Sequence, residues 1–198
     1  MKRINVLLIL IFLLGCGESQ QKQRPESISD QTPILNEELV DTPPDMTLND
    51  IRSVLDIIRG NTEFDSFDKA LVSAEMISII DSIDDVTIFA PVNEAFNLLS
   101  DDKQAQLKSP DGNENMTHIL KYHMVEDEYD LATLRSTVVL KEGTLRLKTF
   151  NGGYIALQLK NDTLVITDEL SMETRIILGD QEASNGVVHG IEKILLPQ

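Results

Sequence analysis

An α+β fold, helical first and mainly β in its C-terminal half, is what the pattern of apolar residues predicts for this chain. Up to Tyr122 most apolar residues recur at helical spacing, with a single short strand-like run from Val86 to Ala90. From Leu145 onward they alternate, and Asn-Gly and Asn-Asp pairs punctuate the alternation as turns do. Helices first and strands later place the chain in the α+β class.

Taken in order, Ile51, Val54, Leu55 and Ile58 fall at i, i+3, i+4 and i+7, with Thr47 or Asn49 as N-cap and Gly60 as the stop. A second helix is expected from about Phe67, with Ala70, Leu71, Ala74, Ile77 and Ile80 on one face. Val86 to Ala90, broken by Pro91, suits a buried strand, and Asn93 is placed to cap a helix carrying Phe96 and Leu99. After a loop from Ser109 to Glu114, Met116 to Tyr122 reads as helix. Leu145 to Lys148 alternates, Asn151-Gly152-Gly153 turns, and Tyr154 to Leu159 alternates again. Asn161-Asp162 precedes Leu164-Val165-Ile166, and Arg175 to Leu178 leads to the last strand. There Asn185-Gly186 forms a turn because both residues tolerate positive φ. Val187, His189 and Ile191 then alternate with Val188, Gly190 and Glu192, which predicts one buried face, and Pro197 ends the ladder for want of an N–H. A histidine among inward positions must find a hydrogen-bond partner. No internal repeat is present, so one module is expected.

Two longer stretches carry a family likeness. Asn185-Gly186-Val187-Val188-His189-Gly190-Ile191, running on to Leu195 and Pro197, resembles the C-terminal signature of fasciclin-like domains. About ninety residues upstream, Thr87-Ile88-Phe89-Ala90-Pro91-Val92-Asn93-Glu94-Ala95-Phe96 is similar to the other signature of that family. Tyr122-His123 stands where the family has its Tyr-His pair, and Phe64-Asp65-Ser66-Phe67 resembles its early Phe-Ser-x-Phe. The resemblance runs from Thr47 to Pro197. It implies a compact β wedge of two small sheets with helices packed against it, and structural roles for Asn93, Phe96, Asn185, Gly186 and His189. It also implies adhesion to receptors through the Tyr-His region, which makes Tyr122 and His123 the candidate partner-binding residues, flanked by Ile119, Leu120 and Val125. The competing reading makes His123 a buried clip between the central helix and the Thr87–Phe96 segment, with Tyr122 packed beside it. Some animal members use an Asp-Ile pair before the terminal signature; here Asp180 is followed by Gln181, so that integrin-type mode does not carry over.

The N-terminus reads as an export signal. Lys2-Arg3 precedes an apolar run from Val6 to Leu14, too short to span a bilayer, and then Gly15-Cys16. Leu13-Leu14-Gly15-Cys16 resembles a bacterial lipobox, which makes residues 1–15 the signal and Cys16 the acylated first residue. Cys16 is the single cysteine, so an exported chain has no disulfide use for it. Residues 16–46 are rich in Gln, Glu, Ser, Asp and Pro without an aromatic residue, a composition that cannot bury enough apolar surface to order itself. As a coil the tether's stretch from Gly17 to Asp45 spans roughly 30 Å and reaches at most about 95 Å. Gly17 after the cysteine resembles no inner-membrane retention signal, which favours an outer-membrane or cell-surface address.

Residues 47–198 then form the domain. Without Lys2 and Arg3 the mature chain has 15 Lys+Arg against 33 Asp+Glu, a net charge of −18. That sign disfavours nucleic acid and close approach to an anionic membrane face. Catalytic patterns are missing: there is no Gly-x-Ser-x-Gly elbow, no phosphate-cradling glycine loop and no Cys-His pairing. The carboxylates Glu126-Asp127-Glu128 and Asp130 read as a solvated acidic loop rather than a glycosidase pair. His118 and His123 are five apart and do not share a helix face, and Asp111-Gly112-Asn113-Glu114-Asn115 lacks the glycine and bidentate glutamate of a calcium loop. Asp81-Ser82-Ile83 and Asp162-Thr163-Leu164 match a bacterial O-glycosylation pattern short enough to arise by chance. The expectation is a monomeric, non-enzymatic adhesion module without cofactor or metal, lipid-anchored and binding an extracellular protein or polysaccharide. The alternatives are a structural accessory subunit of an envelope complex and, more distantly, a polymer hydrolase.

Overall fold

The computed structural model describes residues 52–100 and 112–198. The export signal, Cys16, the tether, Ile51, the cap candidates Thr47 and Asn49, and Asp111 lie outside the described residues.

Helix α1 (Val54–Gly60) is capped by Ser53, whose hydroxyl accepts from the Asp56 N–H while the Asp56 carboxylate accepts from the Ser53 N–H. Ser53 therefore holds the cap position among the described residues, and Gly60 is the last helical residue, with Asn61 as C-cap. A short 3-10 turn (Thr62–Phe64) leads into α2 (Asp65–Ser73). The single helix expected from Phe67 to Ile80 is two. Glu75 adopts φ 55°, Met76 N–H reaches back to Leu71 O, and α3 (Ile77–Asp81) restarts in a new direction. The break lets Met76 and Ile80 both enter the core, each fully buried.

Strand β1 (Val86–Pro91) is followed by α4 (Asn93–Asn97), α5 (Gly112–Tyr122) and β2 (Met124–Glu126). Next comes α6 (Leu131–Leu140), which periodicity did not foretell because its Thr137-Val138-Val139 run is β-branched. Asp130 starts it by accepting from Thr133 N–H. Strands β3 (Thr144–Lys148), β4 (Tyr154–Lys160), β5 (Thr163–Thr167), β6 (Glu173–Ala183) and β7 (Gly186–Ile191) complete the chain.

The strand order is β2-β1-β7-β6-β5-β4-β3. The wedge's two ladders are joined through β6, whose first residues pair with β5 and the rest with β7. Every neighbour is antiparallel except β1 and β7, which run parallel from Val86↔Gly186 to Pro91↔Ile191. Past the end of β3 the sheet curls back, with Val125 bridging Thr149 and Phe150 N–H donating to Met124 O.

This topology buries β1 and β7 on both faces, not the single face that alternation predicts for β7. Ile88 and Val188 join Phe64, Phe67, Leu71 and the α1 side chains in one core. Phe89 and Ile191 join Tyr122, Leu134, Ile155 and Ile166 in the other. The terminal ladder stops at Ile191, six residues before Pro197.

At Gly186 the two signature strands leave no room for a side chain. At φ 151° a Cβ there would lie 2.0 Å from Val86 O. Gly186→Ala must therefore push β7 away from β1, and we expect a loss of at least about 3 kcal/mol. A thermal melt should register a drop of roughly 6–12 °C or loss of the cooperative transition; an unchanged melting temperature would contradict the parallel register.

Candidate functional site

The residues singled out by the two signatures gather around the β1–β7 pair, and each ties elements distant in sequence. Asn185 Oδ1 accepts from Val54 N–H at 2.9 Å, and its Nδ2 donates to Ile83 O at 3.0 Å. Asn93 does the same for α2. Its Oδ1 accepts from Ser66 N–H at 2.8 Å and its Nδ2 donates to Thr62 O at 2.7 Å. Asn93 is thus not the cap of its own helix, whose N-cap is Val92. Both asparagines satisfy orphan donors at the start of a helix remote in sequence. Phe96 packs half-buried against the helical core.

His189 is fully buried and stacks on Phe89 with centroids 5.7 Å apart. Its Nδ1 accepts from Asp180 N–H at 3.2 Å, so Nε2 carries the proton and donates to Tyr129 O at 2.7 Å. Asp180 sits at φ 52° in an irregular stretch of β6 where the β7 register shifts. Its carboxylate accepts from Leu131 N–H at 2.7 Å and so holds the first turn of α6. The aspartate that matches the animal Asp-Ile pair is therefore engaged with a helix start. Burial lowers the His189 pKa, against the Tyr129 carbonyl and the Asp180 and Asp130 charges, which act to raise it.

His123 has the opposite tautomer. Nδ1–H donates to Ile119 O at 2.8 Å, and Nε2 accepts from Leu195 N–H at 3.0 Å. Its only upward influence is the Ile119 carbonyl, which desolvation outweighs, leaving the pKa at about 4. Tyr122 is equally enclosed. Its hydroxyl donates to Tyr154 O at 2.7 Å and accepts from Glu169 N–H at 3.0 Å, and burial pushes its pKa upward. The expectation of a partner-facing Tyr122-His123 pair is corrected here: both side chains are inside, at 0% and 1% exposure. A tyrosine hydrogen-bonded to the first residue of β4 and to the turn after β5 closes the second core rather than presenting a face.

His118 does lie at the surface, where its Nε2 meets Asn151 Nδ2 at 3.3 Å. Among the described residues no three His, Cys, Asp or Glu side chains converge on a possible metal site. An apolar groove of about 360 Å³ beside the terminal signature is lined by Leu98, Leu170, Met172 and Ile194. Its charged lining is already engaged. Asp168 accepts from Leu170, Met172 and Leu196 N–H groups, Lys193 Nζ donates to Glu173 O, and Glu173 pairs with Lys160. Sequence reading missed Asp168, whose only signal was an Asp placed before the turn Glu169-Leu170-Ser171.

Two outcomes follow for stability. Folded His123 refuses a proton until about pH 4, whereas the unfolded chain takes it near pH 6.5. Stability is therefore full above about pH 6.5 and falls as pH drops, by up to about 1.4 kcal/mol per unit and about 3 kcal/mol in all from this residue. Urea midpoints measured from pH 7.5 to 5 should decline before most carboxylates titrate; a flat profile would contradict the buried neutral imidazole. Tyr122→Phe leaves Glu169 N–H and Tyr154 O unpaired and should cost about 1–3 kcal/mol, read as an earlier thermal melt.

A family model described as Fasciclin domain matches residues 62–197. Over 145 residues the chain is 25% identical to Protein sll1483 of Synechocystis sp., with 73% of each protein covered. It is 32% identical over 146 residues to the Sus scrofa transforming growth factor-beta-induced protein ig-h3, covering 73% of this chain and 19% of that protein. Human periostin is 27% identical over 147 residues, covering 74% of this chain and 16% of that one. The chain thus spans less than a fifth of these two animal relatives. Its structure resembles a FAS1 domain pair from the insect cell adhesion molecule fasciclin I, with TM-score 0.56, 19% identity, and 73% and 51% of the two chains covered. That likeness is one of fold. With both signature strands paired inside the sheet and the family model spanning 62–197, the chain belongs to the fasciclin domain family.

Proposed function

We propose that this chain is a non-enzymatic adhesion module displayed on a cell envelope. In this reading residues 1–15 export it, Cys16 carries the lipid, residues 16–46 are the tether, and the domain from 47 to 198 engages an extracellular protein or polysaccharide. The observation that carries it is the engagement of the titratable groups at the signature centre. Both imidazoles, Asp180 and the Asp168 carboxylate are each bonded to backbone groups of the framework. Such groups hold a surface in shape and are not free for proton transfer to a substrate. The family itself, and the cell adhesion molecule whose fold this chain resembles, support binding over catalysis. No described helix is long and apolar enough to cross a membrane; in this reading the lipid on Cys16 supplies the anchorage.

Cys16→Ser should move the protein from the membrane fraction to the soluble or unprocessed pool, read by fractionation and intact-mass analysis. An unmodified mature N-terminus at any other residue would end the lipoprotein reading. Deleting the gene should reduce attachment of cells to a surface coated with matrix protein or polysaccharide. Unaltered attachment, together with a stoichiometric membrane partner in a pull-down, would favour an accessory subunit instead.

A further inference from the structure

The formal net charge of the chain is −16, yet one face of its sheet is cationic. Cross-strand register places Thr144 beside Gln158, Arg146 beside Ala156 and Lys148 beside Tyr154. It continues with Gln158 beside Val165, Lys160 beside Thr163, and Val165 beside Arg175. Directly paired residues in antiparallel strands point to the same side, so Arg146, Lys148, Lys160 and Arg175 share the outer face of β3 to β6. Lys160 and Arg175 are neutralised there by Glu173 and Glu192. Arg146 and Lys148 form none of the ion pairs among the described residues. The Arg146 guanidinium instead lies over the Tyr154 ring, 4.6 Å from its centroid. Gln158 Nε2 donates to Thr144 Oγ1 at 2.9 Å, which aligns an amide and a hydroxyl beside the two cations.

We propose that this face binds an acidic polysaccharide, an extended polymer bearing carboxylates, which names a ligand class for the adhesion module and rests on that reading. A guanidinium held over an aromatic ring presents its fork to a carboxylate with little ordering cost. Lys148, two residues along the strand and about 7 Å away, meets a second carboxylate of the same chain. Gln158, Thr144, Thr163 and the Tyr154 hydroxyl offer hydrogen bonds to sugar hydroxyls. A folded protein partner wants apolar anchors inserted into pockets. Thr144, Arg146, Lys148, Ala156 and Gln158 supply no large apolar side chain, and Tyr154 is the single aromatic among them. An anionic glycan needs none. The rest of the acidic molecule repels such a polymer, so contact is confined to this face and weakens as salt screens it.

The test measures binding of the full chain to three polymers: polygalacturonate, its methyl ester, and poly-L-glutamate. Wild type should bind polygalacturonate, lose it as salt rises from 50 to 500 mM, and bind the other two more weakly. Combined Arg146→Ser and Lys148→Ser should weaken polygalacturonate binding about tenfold, two exposed ion pairs at the upper end of their usual strength. Arg146→Lys should weaken it severalfold, since charge remains but the fork is lost. Melting temperatures should not move, because both side chains are exposed. Equal binding by the double variant, or no binding by wild type, would overturn the assignment. Equal or tighter binding of poly-L-glutamate would overturn it in favour of an acidic peptide. If cell attachment persists while polygalacturonate is ignored, this face loses its ligand and the adhesion reading stands; loss of both removes both.

Discussion

The parallel pairing of β1 with β7 is the constraint on which the remaining structure depends. Its register closes residues 86–91 against 186–191, partners one hundred residues apart, and everything between folds around it. The pair is buried on both sides, so it divides the interior into a helical core and a core enclosed by the curled sheet. A buried strand has no solvent face on which to place polar groups, yet polar groups occur in and beside this pair. Thr87, His123 and His189 are each satisfied by backbone partners, at least one of them from another element. Burying them without partners would cost several kcal/mol. With partners, they act as selective fasteners that reward only the native arrangement.

The two imidazoles illustrate how that selectivity arises. Each is neutral, each donates once and accepts once, and they use opposite ring nitrogens for the two tasks. His189 reaches from β7 to the loop before α6 and to the irregular stretch of β6. His123 reaches from the end of α5 to the segment after β7. The β6 irregularity connects the two systems: it lifts Asp180 N–H out of the ladder toward His189 and aims the Asp180 carboxylate at α6. A single distortion in one strand therefore positions a helix and a histidine together.

Much of this frame was legible in the chain. The apolar run at Val86, the alternation at Tyr154 and the turn at Asn185 each announce their element through local chemistry, and all three stand where expected. What was not legible depends on partners far along the sequence. The amide of Asn93 looks like a cap for the helix it begins, but its bonds go to residues 27 and 31 positions upstream. Helix α6 hides behind β-branched residues because packing on β3 and β4, together with two capping aspartates, overrides propensity. The kink at Glu75 carries no glycine or proline to mark it. Tyr122 next to a polar histidine resembles a surface pair, and only the closure of the sheet over Tyr154 and Glu169 turns it inward.

Placing the last strand in the middle of the sheet also sets the order of events during biogenesis. A chain that emerges from a ribosome or a translocation pore from its N-terminus exposes β1 long before β7 exists outside. Until residues 186–191 arrive, β1 lacks one neighbour, both cores lack a wall, and Val54 N–H lacks the Asn185 acceptor. Folding is thereby deferred until β7 has emerged, and contacts of such long sequence separation form slowly. Until those residues are free, the polypeptide stays loose in any narrow channel that it threads, the ribosomal exit tunnel included.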